Sequence, residues 1–186
     1  MPLKENLYFI AIVPPEDICK EITAFKIDME NRFLSKHALK VLPHITLKAP
    51  FKISPIDHEL LVEWFCKTEI NVSPFQQQLE GFGAFDNKQK PVIFVQPVIN
   101  DNLKNLQRQV LYSFGKTYHE TQIIKTELDF KPHITIAYRD LSELLFHKAW
   151  DEYRLKKYSA LFEVKQFQLF QHNGKTWNSV SVFHLS

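Results

Sequence analysis

The sequence predicts an α+β fold of two similar lobes, with mainly antiparallel sheets and helices packed outside them. The tetrapeptide Pro-His-Ile-Thr occurs twice, at residues 43–46 and 132–135, 89 residues apart in a chain of 186. Strand-like and helix-like segments recur around both copies at offsets of 85 to 89 residues, and no linker rich in Gly, Ser or Pro separates them. The pattern therefore predicts a duplicated single domain, residues 1–186, with lobes of about 1–90 and 91–186.

The first half shows the pattern of strand, helix, strand, helix and strand. A β-rich run that stops at Pro14-Pro15 predicts the first strand, and apolar residues at spacings of three and four then predict an amphipathic helix to about Ser35. Asp57 is the predicted N-cap of the second helix. The two glycines before Phe85 predict a bulge or close backbone approach in the last strand. The elements predicted for this half are strands 7–13, 41–51 and 75–85, and helices 16–35 and 58–68.

The second half repeats this order. A helix capped by Asp101 or Asn102 follows a return strand, and a polar stretch leads from Tyr118 to the second tetrapeptide. Asn173-Gly174 between two alternating runs predicts a closing hairpin. The elements predicted here are strands 91–98, 133–138, 161–171 and 176–185, and helices 101–118 and 141–155.

Each tetrapeptide places an imidazole and a hydroxyl at positions i and i+2. On a strand these side chains share one face, while the intervening apolar residues point into the core. His44 and Thr46 would then face His133 and Thr135 across a cleft. Because histidine titrates near pH 6.5, one imidazole can accept a proton while the other donates one. Two such groups on opposite sides of a phosphorus atom suit in-line displacement, with the threonines donating to phosphoryl oxygens. This scheme requires no metal.

Other reaction classes lack their motifs. The sequence has no GxSxG for a serine hydrolase, and its four glycines exclude a P-loop or a dinucleotide fingerprint. No HxxxH or CxxC spacing indicates a zinc site, so we expect neither metal nor cofactor. The remaining histidines are predicted to be surface or capping residues. They are His37, His58, His119, His147, His172 and His184.

The composition is that of an ordinary globular protein. The net charge of +2 permits a polyanionic substrate without demanding one. Cys19 and Cys66 are predicted to be free thiols in a reducing compartment. The apolar run at 7–13 is too short for a membrane span and does not resemble a signal peptide. We therefore expect a cytoplasmic protein, monomeric and without membrane attachment.

The paired His-x-Thr motifs in a duplicated α/β chain resemble the two-histidine (2H) phosphoesterase superfamily, which includes bacterial 2′-5′ RNA ligases and RNA 2′,3′-cyclic phosphodiesterases. The resemblance covers nearly the whole chain. The first strand ending at Pro14-Pro15 is similar to the family's first strand, and residues 44–51 are similar to the motif of small bacterial ligase-like members. The resemblance implies a LigT-like bilobed fold with pseudo-twofold symmetry around a central groove. It implies the two His and two Thr as the catalytic set, acting on RNA or a nucleotide with a 2′,3′-cyclic phosphate or 2′-5′ linkage.

One position departs from the family pattern. Many ligase-type members carry an arginine five residues after the second histidine, where this chain has Tyr138, and Arg139 follows one residue later. Adjacent strand residues face opposite sides, so the phosphate-binding role does not transfer directly, and hydrolysis is expected more than RNA ligation. Lys48, two residues after Thr46, is predicted to share its face and contact phosphate. The residues predicted to contact substrate are Lys48, Phe9, Phe51, Tyr138 and Arg139.

Two alternatives remain open at this level. The chain could be an RNA- or nucleotide-binding module of the same fold with weak or no catalysis, or a cyclic phosphodiesterase for small molecules. The sequence does not decide which histidine is the acid, nor the direction of the reaction.

Overall fold

A computed structural model describes residues 5–118 and 123–186 as two four-stranded antiparallel sheets flanked by helices. The strands in these ranges are β1 (Asn6–Ile12), β2 (Ile45–Ile53), β3 (Phe75–Phe85), β4 (Val92–Pro97), β5 (Ile134–Ala137), β6 (Ser159–Val164), β7 (Gln166–His172) and β8 (Trp177–His184). The helices are α1 (Glu16–Phe33), α2 (His58–Lys67), α3 (Asp101–Tyr118), α4 (Lys125–Leu128) and α5 (Glu143–Tyr153).

The two sheets have equivalent strand orders. The first sheet runs β2-β1-β7-β8 and the second runs β5-β4-β3-β6, so each His-x-Thr strand is at the end of its sheet. The first sheet is completed by β7 and β8 from the second half of the chain, and the second sheet takes β3 from the first half. The predicted α+β class with antiparallel sheets is confirmed. The sheets, however, exchange strands across the predicted lobe boundary near residue 90.

Helices α1 and α3 are equivalent elements of the duplication. Each has 18 residues and follows the strand next to the motif strand, and their first residues, Glu16 and Asp101, are 85 positions apart. The chain then crosses over: α1 packs against β5 and α3 packs against β2. Buried side chains of both helices, including Met29 and Phe114, belong to one hydrophobic core. Each motif strand thus packs against the long helix of the other half of the chain, β2 against α3 and β5 against α1.

The predicted single strand at 161–171 is wrong. The structure divides it into β6 and β7, which are separated by Lys165. Strand β6 pairs with β3 in the second sheet, whereas β7 pairs with β1 in the first. The break is where the chain passes from one sheet to the other. An alternating pattern alone does not reveal this, because both strands alternate.

Helix starts lie close to the predicted positions. Asn100, one residue before the predicted cap, accepts a hydrogen bond from the Leu103 N–H through Oδ1 at 2.8 Å. Asp57 is the residue before α2, as predicted, but its side chain makes no capping hydrogen bond. In the closing hairpin, Gly174 adopts a φ of 96°, a left-handed conformation that glycine permits without strain. The short helix α4 was not anticipated within the polar stretch.

Candidate active site

The two His-x-Thr motifs begin their strands in the same way. Ile45 and Leu47 are 0% and 1% exposed, and Ile134 and Ile136 are both fully buried. The histidine and threonine of each copy are half-buried on the other face. The predicted alternation is therefore confirmed at both motifs, and a polar pair from each strand faces away from the core.

Both motif histidines are oriented by the same hydrogen bond. His44 Nδ1 lies 2.7 Å from the Leu42 carbonyl oxygen, and His133 Nδ1 lies 2.7 Å from the Lys131 carbonyl oxygen. Because a carbonyl only accepts, Nδ1 is the protonated nitrogen in both rings. In the neutral state Nε2 of each imidazole then carries the lone pair that can accept a proton.

One cavity is lined by a residue of each motif, whereas His44 and Thr135 are not part of its lining. It has a volume of about 320 Å³ and is lined by Thr46 from the first motif and His133 from the second. Phe85, Glu127 and Phe130 form part of its remaining wall. The structure therefore brings side chains from motifs 89 residues apart into one space large enough for a phosphate ester.

The environment favours neutral imidazoles. Burial lowers the pKa of His44 from 6.5 to about 4; the Leu42 carbonyl opposes this shift, while the positive charges of Lys26 and His133 add to it. Burial also lowers the pKa of His133, against the raising effect of the Lys131 carbonyl. A charge on His133 thus disfavours a charge on His44, so the site favours at most one protonated histidine near neutral pH.

Aromatic rings support each imidazole from the neighbouring strand. The ring of Phe9 on β1 lies 4.9 Å from that of His44 and is stacked on Phe170 of β7 at 4.8 Å. On the other side, Phe94 of β4 lies 5.5 Å from His133. Phe9 and Phe94 are equivalent residues, 85 positions apart. These contacts limit the rotation of both imidazoles.

The position of the Phe94 ring beside His133 depends on a glycine. Gly83 pairs with Phe94 across the sheet, and a Cβ at Gly83 would lie about 2.4 Å from an edge carbon of the Phe94 ring, well inside van der Waals contact. Phe85, two residues further on, lies 5.1 Å from His133 with its ring nearly perpendicular. The glycine noted in the sequence therefore marks a close approach of a ring to the backbone, and that ring contacts the second motif histidine.

Two predicted stacking residues are wrong because they are buried. Phe9 is 3% exposed beneath His44, and Phe51 is 4% exposed in the main core, where its ring lies 4.7 Å from Phe114. Neither ring is available to a base. Phe85, which lines the cavity and is half-buried, has the exposure that such a contact needs.

The predicted shared face of Thr46 and Lys48 is also wrong. Thr46 pairs with Ala11 and Lys48 pairs with Ile10, and the register between these pairs is shifted by a bulge. A bulge adds one residue to a strand and reverses the faces that follow it. Lys48 is consequently 1% exposed on the core side, where its Nζ lies 3.0 Å from Glu127 Oε1.

Tyr138 and Arg139 lie outside the cavity wall. Strand β5 ends at Ala137, and Arg139 has a φ of 65°, so the chain turns there rather than continuing as a strand. The exposed Arg139 donates a hydrogen bond from Nη1 to His37 Nε2 at 3.2 Å, and its guanidinium lies over the Tyr138 ring. The expectation that Tyr138 and Arg139 face opposite sides of a strand does not apply, because neither residue is in a strand. Neither side chain lines the cavity with Thr46.

Glu127 is a site residue that the sequence analysis missed. Its carboxylate accepts hydrogen bonds from the backbone N–H of Ala49 at 2.7 Å and of Ile124 at 2.8 Å, in addition to both bonds from Lys48. It also lines the cavity beside His133. No local signal identifies it, because its partners on β2 lie 78 and 79 residues earlier.

The other predictions concern residues away from the cavity. His58 Nδ1 shares a hydrogen bond with the buried Tyr8 hydroxyl at 2.9 Å, whereas His147 and His184 are exposed. His119 lies outside the described residues. Cys19 and Cys66 are free thiols. Among residues 5–118 and 123–186, no group of three or more His, Cys, Asp or Glu side chains is arranged to hold a metal ion. In the same ranges, no helix combines the length and hydropathy that a membrane span requires.

Known proteins are similar to this chain in sequence and in fold. Two proteins named "Putative phosphoesterase" are similar over most of their length, one from Geobacillus kaustophilus and one from Bacillus cytotoxicus. The first is 27% identical over 177 residues, which cover 95% of this chain and 94% of the relative. The second is 29% identical over 158 residues, covering 84% and 86%.

The fold matches solved structures across nearly the whole chain. Escherichia coli LigT complexed with 3′-AMP superposes with a TM-score of 0.71 at 16% identity, over 98% of this chain and 99% of LigT. The protein TT0787 of Thermus thermophilus gives 0.66 at 18% identity, over 96% and 97%. The predicted LigT-like architecture is thereby confirmed. The sequence profile of the 2′-5′ RNA ligase superfamily matches residues 14–176, and the chain belongs to this superfamily.

Proposed function

We propose that this protein is a phosphoesterase that hydrolyses a 2′,3′-cyclic phosphate on RNA or a nucleotide, using His44 and His133 as general base and general acid. The observation that carries the proposal is the shared cavity, which is lined by Thr46 of one motif and His133 of the other. The names of the bacillar relatives support the phosphoesterase class. LigT, which has the same fold, binds 3′-AMP.

In the proposed reaction one neutral imidazole takes a proton from water through Nε2. The water oxygen forms a bond to phosphorus while the bond from phosphorus to one ribose oxygen breaks. The other imidazole, protonated at Nε2, gives its proton to that leaving oxygen. The product is a phosphate monoester beside a free hydroxyl, and the two histidines have exchanged protonation states. Each proton transfer contributes about 10²–10⁴ in rate.

The different environments of the histidines suggest their roles. His44, with its pKa lowered to about 4, is neutral over most of the accessible pH range and suits the base. His133, whose pKa burial also lowers, is then the acid. The hydroxyls of Thr46 and Thr135 are two residues from the imidazoles on the same strand faces. They would donate to the non-bridging oxygens, where negative charge increases in the transition state.

The proposal is tested by single substitutions with a panel of substrates. His44→Ala and His133→Ala should each lower kcat for a 2′,3′-cyclic nucleotide by about 10²–10⁴-fold. His184→Ala, which removes an exposed imidazole from β8, is the matched control and should retain the wild-type rate. Circular dichroism and urea unfolding would establish that the variants remain folded.

The panel should include 2′,3′-cyclic mononucleotides, oligoribonucleotides with a 2′,3′-cyclic end and a 2′-5′ dinucleotide, each with EDTA. The proposed scheme uses only protein side chains, so EDTA should leave the rate unchanged. Wild-type rates in both histidine variants, or loss of activity in EDTA, would overturn it. Binding of RNA with no turnover of any substrate would instead favour a binding module of this fold.

A further inference from the structure

We propose that a second groove, along α3, binds the nucleotides that precede the cyclic phosphate, so that the substrate is an oligonucleotide rather than a mononucleotide. This inference rests on the proposed function. The groove has a volume of about 760 Å³, more than twice that of the cavity between the motifs. Three residues line both spaces: Gln107, Glu127 and Phe130. The two cavities are therefore adjacent and share part of their lining.

The α3 groove carries positive charge at helical spacing. Lys104, Arg108 and Lys116 lie along its wall at intervals of four and eight residues, and all three are exposed. Within the described ranges, none of these three residues forms an ion pair with a carboxylate at 4.0 Å or less. The acidic side chain in the wall, Glu127, is engaged by Lys48 and two backbone N–H groups. The charge of the groove is complementary to a phosphodiester backbone.

An aromatic ring lies among these cations. Tyr112 lines the groove with 64% of its surface exposed, one helical turn from both Arg108 and Lys116. The Lys116 ammonium lies 4.4 Å from the centre of its ring. Phe130, half-buried, is on the side shared with the motif cavity. Exposed rings interleaved with cations are the pattern by which proteins hold single-stranded nucleic acid without sequence preference.

The duplication shows that the groove is not a requirement of the fold. Helix α1 is equivalent to α3 at an offset of 85 residues, and the four groove residues correspond to uncharged ones in α1. Those equivalents are Cys19, Thr23, Ile27 and Asn31. Of the two equivalent helices, only α3 thus carries basic residues at these four positions. This matches the chemistry, since a 2′,3′-cyclic phosphate ends its strand and the remaining nucleotides extend in one direction.

The test is binding of a 5′-fluorescein-labelled ten-nucleotide RNA ending in a 3′-phosphate, followed by fluorescence anisotropy. This product-like probe requires no turnover. The double variant Lys104→Gln/Arg108→Gln should weaken binding on the order of 10-fold and reduce the slope of log Kd against log salt by about 1.4, as for two phosphate contacts. Tyr112→Leu should weaken it about 5- to 100-fold with the slope unchanged.

The matched control is Lys20→Gln/Lys148→Gln, which also removes two positive charges, but from exposed positions on α1 and α5. It should retain the wild-type affinity and salt slope. Kinetics supply a second readout: the ratio of kcat/KM for the cyclic-ended decamer over that for the cyclic mononucleotide should fall on the order of 10-fold in Lys104→Gln/Arg108→Gln.

The outcomes separate this inference from the proposed function. If wild-type protein binds the RNA and the α3 variants lose it, the groove is established even if no cyclic phosphate is hydrolysed. If the enzyme is active but the α3 variants bind and discriminate like the control, the groove does not hold nucleotides. Equal losses in the α3 variant and the control would also overturn it, because they would reflect net charge alone.

Discussion

The Nζ of Lys48 lies 3.0 and 3.1 Å from the two carboxylate oxygens of Glu127, and both side chains are almost fully buried. Lys48 is on the strand of the first motif, and Glu127 is six residues before His133. The ion pair therefore connects the two motif segments from the core side of the cavity. The backbone bond from Ala49 to the same carboxylate strengthens this connection.

We expect Lys48→Met to destabilise the protein by about 3–5 kcal/mol, since it leaves a buried carboxylate without its cation. Urea unfolding at pH 7 measures this loss. The exposed Lys52, on the same strand, is the matched control, and Lys52→Met should change the free energy of unfolding by less than about 0.5 kcal/mol. Adding Glu127→Gln to Lys48→Met should recover part of the loss. Equal stability of Lys48→Met and Lys52→Met would contradict a structural role for the Lys48–Glu127 pair.

Activity should be greatest on the acid side of neutrality. A base with a pKa of about 4 becomes competent as the pH rises above that value. An acid with a pKa below 6.5 loses its proton as the pH rises further. We therefore expect kcat/KM to pass through a maximum between these limits and to fall steadily from about pH 6.5 to 8. A profile that rises to pH 8 would show that neither imidazole acts as an acid with the lowered pKa found here.

The stability of the fold should also depend on His44. Its pKa is lower in the folded protein than in the unfolded chain, so between about pH 6.5 and 4 the unfolded chain binds a proton that the folded protein does not. Stability is therefore lost as the pH falls through this window. Because the ring is half-buried, we expect the free energy of unfolding to decrease by roughly 1–3 kcal/mol across this window.

Comparing urea unfolding at pH 7 and pH 4.5 isolates this contribution. The decrease should be smaller in His44→Gln than in the wild type, whereas His184→Gln, which changes an exposed imidazole, should show the full decrease. An undiminished decrease in His44→Gln would assign the acid sensitivity to other groups.

Gly83→Ala should reduce both stability and activity. The added methyl overlaps the Phe94 ring, and moving that ring displaces the support of His133. Overpacking of this kind costs about 1–3 kcal/mol. Gly81→Ala is the contrasting variant. Gly81 has a φ of 64° and no atom within 4 Å of the added carbon, so this change should cost stability through backbone strain but leave kcat intact. Equal kcat in both variants would contradict a supporting role for Phe94.

The sequence was sufficient where local patterns decide the structure. The alternation from His44 to Leu47 and from His133 to Ile136 predicted which side chains face away from the core, and the structure confirms it. Strand β3 spans the predicted residues, Phe75–Phe85. In these segments one face is buried and the other is polar, so the two-residue period alone determines the orientation.

Features set by distant partners escaped prediction. A lysine two residues beyond Thr46 would ordinarily share its face, and only the pairing of β2 with β1 reveals the bulge that turns Lys48 inward. Its counter-ion, Glu127, comes from an unpatterned polar stretch. The division at Lys165 likewise depends on which sheet each flanking strand joins. The orientation of Lys48, its pairing with Glu127 and the break at Lys165 all depend on long-range pairing, which a local sequence pattern does not predict.

The exchange of strands between the sheets has a consequence for biosynthesis. Strand β1 forms near the start of the chain, yet its partners in β7 are 157 to 165 residues further on. As the chain emerges from the ribosome, one edge of β1 stays open until residue 172 has been made, and the first sheet stays incomplete until β8 follows. The second sheet, with the surroundings of His133, needs the chain only to the end of β6 at residue 164. The sheet that carries His44 is therefore the later of the two to be completed, because it depends on long-range pairing with β7 and β8.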